Sequence, residues 1–286
     1  MKLQGRNAIV TGGSQGLGRA IVETYLREGA SVAFCARTGA DVEKTLGELR
    51  PRLRTGQQLV GVPADVSKAA DIDRLFAAAA PLGDLHILVN NAGIYGPIGP
   101  AEEVDFSAWE AAFDINVFGA MLCARKALPG MKQRGYGKLV FISGAGAAPI
   151  PNCSAYTVTK IAVTRLAEAL AEELRAFHID SNAIAPGPLN TRLIKDVLAA
   201  GPEKAGADFY AKNLKWSEGA AVSPELGANV AVYLASAASD GITGKLIAAQ
   251  WDPWEKLHEF KAELAGDIYT FRRIVPKDRG KTWGDK

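Results

Sequence analysis

The sequence predicts an α/β protein with a doubly wound parallel sheet and helices on both faces of the sheet. Short apolar runs alternate along the chain with longer amphipathic stretches, as in strand–helix–strand units. Within the short runs, polar and apolar residues hardly alternate, which is typical of strands covered on both faces. Neither a repeat nor a linker divides the chain, so we expect one domain, 1–250, followed by a C-terminal extension, 251–286.

Seven strands and six helices are predicted in strict succession. The predicted strands are 7–11, 31–36, 58–62, 87–90, 138–143, 180–185 and 245–249. The predicted helices are 16–28, 41–53, 69–80, 106–134, 155–177 and 224–237. Strands and helices in this strict succession predict a doubly wound α/β sheet.

Composition narrows the classes of function. The 286 residues carry 48% hydrophobic residues and a formal net charge of only +2, which favours a globular protein and small-molecule partners over nucleic acid or a membrane surface. The first residues contain no apolar core of signal-peptide length, so we expect a cytoplasmic protein. The three cysteines and three histidines are scattered and lack metal-ligand spacing, so we expect no metal site.

One long segment, 191–222, interrupts the regular alternation after the sixth predicted strand. It contains breakers and scattered aromatic residues, namely Gly201, Pro202, Gly206, Phe209, Tyr210 and Trp216. Segments that follow strand C-termini line the ligand crevice of open α/β sheets. We therefore expect 191–222 to be a substrate lid, and the alternative is a helical surface insertion.

A glycine-rich segment follows the first predicted strand and leads directly into the first predicted helix. It reads Thr11-Gly12-Gly13-Ser14-Gln15-Gly16-Leu17-Gly18. Glycines at 12, 16 and 18 permit a tight turn and a close backbone approach to a pyrophosphate, while the helix N-terminus offers free N–H groups. The segment predicts a dinucleotide site on a Rossmann-type sheet.

The end of the second predicted strand bears on cofactor choice. NAD-binding units of this kind place an acidic residue about 20 positions after the glycines, where it binds the adenosine ribose. This chain has Ala36 and Arg37 there. Because a guanidinium pairs with a 2′-phosphate and a carboxylate repels it, we expect NADP(H) to be favoured over NAD(H). The alternative is that Arg37 is an ordinary loop arginine or stacks on the adenine.

Tyr156 and Lys160 are the candidates for proton transfer. They are four residues apart on a predicted helix, so they project from the same face. Hydride reduction of a carbonyl requires an acid that protonates the new alkoxide. We expect the ammonium to lower the pKa of the phenol from its usual value of about 10 and so help it exchange protons.

These motifs, taken together, resemble those of classical short-chain dehydrogenases/reductases over about residues 3–249. The pattern of residues 11–18 matches the family's Thr-Gly-x3-Gly-x-Gly, and Asn90-Asn91-Ala92-Gly93 matches its Asn-Asn-Ala-Gly motif. Asp65-Val66 and the segment 186–191 resemble the pair at the adenine edge and the Pro-Gly-x3-Thr segment. The resemblance implies cofactor contacts from Gly12, Ser14, Gln15, Gly16, Leu17, Gly18, Arg37, Asp65, Val66, Asn91, Ala92, Gly93, Tyr156, Lys160, Pro186, Gly187, Leu189 and Thr191.

The resemblance also implies a catalytic tetrad of Asn116, Ser143, Tyr156 and Lys160. Ser143 precedes Tyr156 by the family's thirteen residues, although many members have two serines where this chain has Ser143-Gly144. By this likeness Ser143 orients the carbonyl, Lys160 grips the nicotinamide ribose and Asn116 holds a water of the proton relay. The alternative for Asn116 is a buried asparagine bonded to backbone.

The expected function is the NAD(P)(H)-dependent interconversion of a secondary alcohol and a ketone. The alternative from another class is a dinucleotide-sensing protein without turnover, and within enzymes a 3-oxoacyl reductase stands against a sugar or polyol dehydrogenase. The expected pocket rim is small and apolar, formed by Ile94, Tyr95, Ala145, Ala147, Ile150, Cys153 and Pro188.

Two further expectations concern assembly. The predicted helices 106–134 and 155–177 carry apolar residues on more than one side, which predicts a homodimer or homotetramer through paired helices, as in the family. In the extension, apolar residues recur at three- or four-residue intervals over 252–265, which predicts a short amphipathic helix. We expect this extension to pack across a subunit boundary, and the alternative is that it reinforces its own subunit.

Overall fold

The computed structural model describes residues 1–144 and 149–283, which form one seven-stranded parallel sheet. The strands lie in the order β3-β2-β1-β4-β5-β6-β7. Their bounds are β1 Asn7–Thr11, β2 Ser31–Ala36, β3 Leu59–Pro63, β4 Ile87–Asn90, β5 Gly137–Ile142, β6 Ile179–Ala185 and β7 Leu246–Ala248. All seven predicted strands are present, and the expected doubly wound sheet is confirmed.

Helices cover both faces of the sheet. They are α1 Gly16–Arg27, α2 Gly39–Leu49, α3 Ala69–Ala79, α4 Phe106–Phe113, α5 Gly119–Arg134, α6 Ser154–Leu174, α7 Arg192–Ala205, α8 Ala207–Lys215, α9 Pro224–Ala235 and α10 Lys261–Leu264. One core lies between the sheet and α1, α2 and α9, and a second lies between the sheet and α3, α5 and α6. In the residues described, no helix has both the length and the apolarity needed to cross a membrane.

Two predicted helices differ from the structure for local reasons. The helix predicted over 41–53 ends at Leu49 and continues as the 3-10 turn Arg50–Arg52, because Pro51 has no N–H to extend an α-helix. The helix predicted over 106–134 is divided into α4 and α5 by one π-helical turn, Asp114–Phe118. This turn contains Asn116, so the irregularity lies at a predicted site residue.

The segment 191–222 is largely helical and returns to its starting point. It forms α7, α8 and a further turn at Trp216–Ala220, with a kink where Gly201 has a φ of 79°. The Val222 N–H donates to the Pro188 carbonyl at 2.8 Å, which closes the excursion. Both helices therefore stand on the carboxyl edge of the sheet, beside β6.

The extension lies along the free edge of β7. The predicted helix over 252–265 is mostly a 3-10 helix, Trp254–Phe260, followed by α10. Beyond it, the Leu246 N–H donates to the Tyr269 carbonyl at 2.8 Å, and the Ala248 N–H donates to Asp252 Oδ2 at 2.6 Å. Lys245 Nζ donates to two further carbonyls of the extension, those of Gly266 and Ile268. This part of the extension contacts its own chain, and its predicted contact with another subunit remains a prediction.

Candidate active site

A cleft of about 1040 Å³ opens at the carboxyl edge of the sheet and extends beneath α7 and α8. Parallel sheets bind ligands at this edge because the loops after the strands converge there. Every residue that the sequence assigns to cofactor binding lies in its wall, namely Gly12, Ser14, Gln15, Gly16, Leu17, Gly18, Arg37, Asp65, Val66, Asn91, Ala92, Gly93, Tyr156, Lys160, Pro186, Gly187, Leu189 and Thr191.

The glycine-rich turn has the geometry of a phosphate cradle. Gly12 and Gly16 have φ values of 66° and 54°, which residues with a side chain rarely adopt. A Cβ at Gly18 would overlap the Gly12 carbonyl oxygen, so only glycine lets α1 begin this close to the turn. Asn91 fixes the turn from β4, since its Nδ2 donates to the Thr11 and Gly12 carbonyls at 2.9 and 3.1 Å. These residues fit the pyrophosphate of a dinucleotide.

The adenine end of the cleft carries one exposed cation. Arg37 follows β2 at the surface, and it forms no ion pair within the described part of the chain. Asp65, at the end of β3, is engaged locally, because its Oδ1 accepts hydrogen bonds from the Ser67 N–H at 3.0 Å and the Ser67 hydroxyl at 2.7 Å. Arg37 is therefore the charged group left available for a ligand at this end.

Tyr156 and Lys160 lie on the same face of α6 and are both buried. Lys160 Nζ donates to the Ile142 carbonyl at 2.8 Å and lies 5.8 Å from the centre of the Tyr156 ring. Burial lowers the pKa of Lys160 to about 8. Burial, together with the nearby Cys153 thiol, raises the pKa of Tyr156 to about 12.

The direction of the Tyr156 shift differs from the sequence expectation. We expected the ammonium to lower the pKa of the phenol, but the cost of burying a phenolate dominates and raises it. The Tyr156 phenol is thus protonated at neutral pH, and Lys160 is still charged there because neutral pH lies just below its pKa. The pair can supply a proton to an oxygen that becomes negative beside it.

Asn116 lies in the π-helical turn and is held by hydrogen bonds on both sides of its amide. Its Oδ1 accepts from the Ile94 N–H, and its Nδ2 donates to the Ile94 carbonyl and to Thr159 Oγ1, all at 2.9 Å. A Cβ at Gly93 would lie 3.2 Å from both Asn116 Oδ1 and Lys160 Nζ. Asn116 therefore packs behind the cleft wall, next to the Lys160 ammonium.

Ser143 is placed differently from the expected carbonyl-orienting residue. Its Oγ donates to the Lys160 carbonyl at 3.2 Å and accepts from Thr164 Oγ1 at 2.8 Å, and only 2% of the residue is exposed. The next residue, Gly144, packs against the phenol, and a Cβ there would lie 2.9 Å from Tyr156 Cζ. The hydroxyl that was expected to be free for substrate is thus used within the fold.

An apolar cluster forms the part of the cleft beside Tyr156. Tyr95 stacks on Tyr156 with ring centres 4.3 Å apart and reaches Phe209 of α8 at 6.4 Å. Cys153 and Ile150 belong to the same cluster, whereas the predicted rim residues Ala145 and Ala147 lie outside the described residues.

Several cleft residues were not identified from the sequence as site residues. They include Asn213 of α8 and Asp252, Tyr269, Thr270 and Phe271 of the extension. No motif marks them, since they reach the cleft through tertiary packing alone. In the part of the chain with described coordinates, no cluster of histidine, cysteine, aspartate and glutamate could hold a metal ion.

Comparison with known families agrees with this geometry. A family model described as short chain dehydrogenase matches residues 6–200, which is more than half of the chain. The chain belongs to the short-chain dehydrogenase/reductase family. It is an oxidoreductase that acts on CH–OH groups, and its family uses NAD(P)(H).

Individual relatives show a range of activities by name. A short-chain type dehydrogenase/reductase from Picea abies is 34% identical over 74% of this chain and 79% of its own length. The 2-(S)-hydroxypropyl-CoM dehydrogenase 3 of Xanthobacter autotrophicus is 34% identical over 86% of this chain and 96% of its own length. A solved short-chain type dehydrogenase/reductase from Mycobacterium ulcerans has a TM-score of 0.76 and 31% identity, covering 87% of this chain and 89% of its own.

Proposed function

We propose that this protein interconverts a secondary alcohol and a ketone, with NADP(H) as the favoured cofactor and Tyr156 as the acid and base. The observation that carries the proposal is the buried Tyr156–Lys160 pair at the cleft edge, in line with a glycine cradle that fits a pyrophosphate. The nicotinamide supplies or accepts the hydride when it is bound. The chain's own residues supply the proton and the geometry.

Tyr156 acts as the proton donor in the direction of reduction. Its raised pKa keeps the phenol protonated at neutral pH, so a proton is held at Oη where a substrate oxygen gains negative charge. Lys160 is cationic just below pH 8, and its charge favours the phenolate left after the transfer. In the direction of oxidation the phenolate takes the alcohol proton back.

Lys160 and Asn116 form the second part of the proposed proton path. Both side chains approach Gly93, and of the two Lys160 lines the cleft while Asn116 lies behind its wall. Both Nδ2 hydrogens of Asn116 are used by the Ile94 carbonyl and Thr159 Oγ1, so the second lone pair of its Oδ1 is the group left to bind a water molecule. Ser143 belongs to the same constellation and contacts Lys160 through the helix backbone.

The preference for NADP(H) is supported by Arg37. Its guanidinium is exposed at the adenine end of the cleft, and the described residues place no acidic partner on it. The preceding residue, Ala36, stands where a ribose-binding carboxylate is typical of NAD-binding units. A 2′-phosphate would find a bidentate partner there.

The walls of the cleft favour an apolar ketone as substrate. Tyr95, Ile150 and Phe209 cluster with Tyr156 and line the cleft. Asn213 and Asp252 add polar atoms farther along the wall, which keeps a polyol or sugar as the second candidate. The names of relatives include a hydroxysteroid dehydrogenase of Mycobacterium tuberculosis, an example of an apolar ketone–alcohol pair in this family.

An exposed aromatic row supports the proposed homodimer or homotetramer. Phe106 stacks on Trp109 and Trp109 on Phe113 along α4, and the ring of Phe118 in the π turn lies tilted at 6.4 Å from Phe113. Phe106 and Phe118 are 66% and 55% exposed. An exposed apolar row of this length is typical of an interface. A second copy of the same helices would cover it by two-fold symmetry.

A panel of ketones and polyols, assayed by absorbance with NADPH, NADH and their oxidised forms, tests this function. We expect turnover of an apolar ketone with NADPH, and we expect Tyr156→Phe to lower kcat by about two to four orders of magnitude while the dinucleotide dissociation constant is retained. A dinucleotide-sensing protein would bind the cofactor with no turnover. Equal kcat in the wild type and Tyr156→Phe would refute the assigned acid.

A further inference from the structure

Ser143, which the sequence predicts to face the substrate, is bonded within the fold, and its neighbour Gly144 faces the Tyr156 phenol instead. The Ser143 hydroxyl is bonded within a cluster that also contains Thr164 and the Lys160 carbonyl, and Thr164 Oγ1 lies 3.0 Å from that same carbonyl. Ser143 and Thr164 are 2% and 0% exposed. Each hydroxyl carries a single proton, and both protons find acceptors within this cluster, whichever of the two hydroxyls donates to the Lys160 carbonyl.

Gly144 is the residue that faces the reacting phenol. A Cβ on Gly144 would overlap Tyr156 Oη and lie 2.9 Å from Cζ. The phenol oxygen therefore occupies the volume in which any side chain at position 144 would stand. Only glycine allows Tyr156 to approach the end of β5 this closely.

Two consecutive residues at the end of β5, Ile142 and Ser143, form hydrogen bonds with Lys160 of α6. Lys160 Nζ donates to the Ile142 carbonyl at 2.8 Å, and the Ser143 hydroxyl donates to the Lys160 carbonyl at 3.2 Å. The Ser143 N–H in turn donates to the Ile184 carbonyl of β6 at 2.9 Å. The side chain and the backbone of Lys160 are thus both tied to the same strand end.

We propose that Ser143 is a positioning residue that sets Lys160 against β5, and that Gly144 is the residue that determines what space remains beside the Tyr156 oxygen. This inference rests on the proposed function, because it concerns how the same proton donor is placed. It assigns no contact between the Ser143 hydroxyl and the substrate oxygen. Substrate selectivity close to the reacting carbon then depends on position 144.

Thr164→Val provides a matched comparison for Ser143→Ala, because each variant breaks the same cluster, and Ser143 lines the cleft whereas Thr164 is not among its lining residues. We expect both variants to lower kcat by less than tenfold, to move the alkaline limb of the pH profile in the same direction and to be no worse when combined. Loss of a donor to a substrate oxyanion typically costs a factor of about 100 to 1000 in kcat. A loss of that size in Ser143→Ala alone, with Thr164→Val near the wild type, would overturn the proposal.

Gly144→Ala tests the second part of the proposal, that Gly144 determines the space beside the Tyr156 oxygen. Gly130→Ala is its control, because a Cβ at Gly130 meets no atom within 4 Å. We expect Gly144→Ala to lower kcat at least a hundredfold while the dissociation constant for NADPH changes less than threefold, and Gly130→Ala to match the wild type. Wild-type kcat in Gly144→Ala would contradict the assigned packing.

A spectroscopic measurement separates this inference from the proposed function. In protein labelled with 13C at tyrosine Cζ, the Tyr156 signal is identified by its loss in Tyr156→Phe. Gly144→Ala is expected to shift that signal and Gly130→Ala to leave it in place, without any substrate or cofactor present. An unmoved signal would refute the contact, whereas a shifted signal with no turnover of any ketone by the wild type would refute only the proposed function.

Discussion

The buried ammonium of Lys160 is expected to destabilise the folded protein, and a substitution that removes the charge is expected to raise its stability. Burial lowers the Lys160 pKa from its ordinary value of 10.5 to about 8, and within the described residues its ammonium donates a hydrogen bond to the neutral Ile142 carbonyl and forms no ion pair. A pKa difference of this size means that the charged ammonium is less stable in the folded chain than in the unfolded chain by about 3 kcal/mol. Lys160→Met removes this cost, and it also removes the bond to Ile142, worth about 1 kcal/mol.

The net expectation is that cofactor-free Lys160→Met is more stable than the wild type by about 2 kcal/mol at pH 7, or about 4 °C in Tm. Because the folded-state pKa is the lower one, the unfolded wild type binds more protons between about pH 8 and 10.5, and wild-type stability from this group rises with pH across that window. The advantage of the variant should therefore shrink between pH 7 and pH 10.

Thermal unfolding of the cofactor-free proteins at both pH values measures this difference. Lys212→Met, at an exposed position of α8, is the control and should leave Tm unchanged. The same Lys160→Met variant should lose turnover, so stability and activity move in opposite directions. A variant less stable than the wild type at pH 7, or an advantage that is equal at pH 7 and pH 10, would refute the reasoning.

Three other expectations follow from the site and its surroundings. Arg37→Asp should shift the ratio of the NADPH and NADH dissociation constants at least tenfold toward NADH, since a charge-assisted contact contributes about 1.5 to 3 kcal/mol; equal constants in the wild type would already exclude the assigned role. In NADPH-dependent ketone reduction, kcat/KM should fall as the pH rises past about 8, because Lys160 loses its charge there, and a flat profile from pH 7 to 10 would contradict this. Phe118→Asp should convert the oligomer to a smaller species in light scattering, whereas the same change at the exposed Leu214 of α8, outside the aromatic row and the extension, should not.

The sheet was predictable from the sequence because its signal is local. Each strand is a short apolar run, and burial on both faces makes these runs continuous, so all seven could be placed. The glycine turn was equally accessible, because the required φ at Gly12 and Gly16 restricts the residue type. The cleft followed from chain order, since every predicted cofactor residue stands just after a strand or on the adjoining helix.

The features that were not predicted depend on contacts between distant residues. The π turn at Asn116 is associated with bonds to Ile94, which no helical periodicity reports. The thirteen-residue spacing suggested that Ser143 faces the substrate, whereas the direction of its side chain is set by Thr164 and the backbone of α6. The raised pKa of Tyr156 reflects its burial against Tyr95, a property that the spacing of Tyr156 and Lys160 does not contain.

The course of the extension also has a consequence for solubility. An edge strand with free N–H groups is a template on which another chain can pair, and β7 is the last strand of its sheet. Here the N–H groups of Leu246 and Ala248 are already bonded to Tyr269 and Asp252. A chain shortened after Gln250 would expose this edge and would also remove Leu257 and Leu264 from the core, so we expect strand-to-strand aggregation together with a loss of stability.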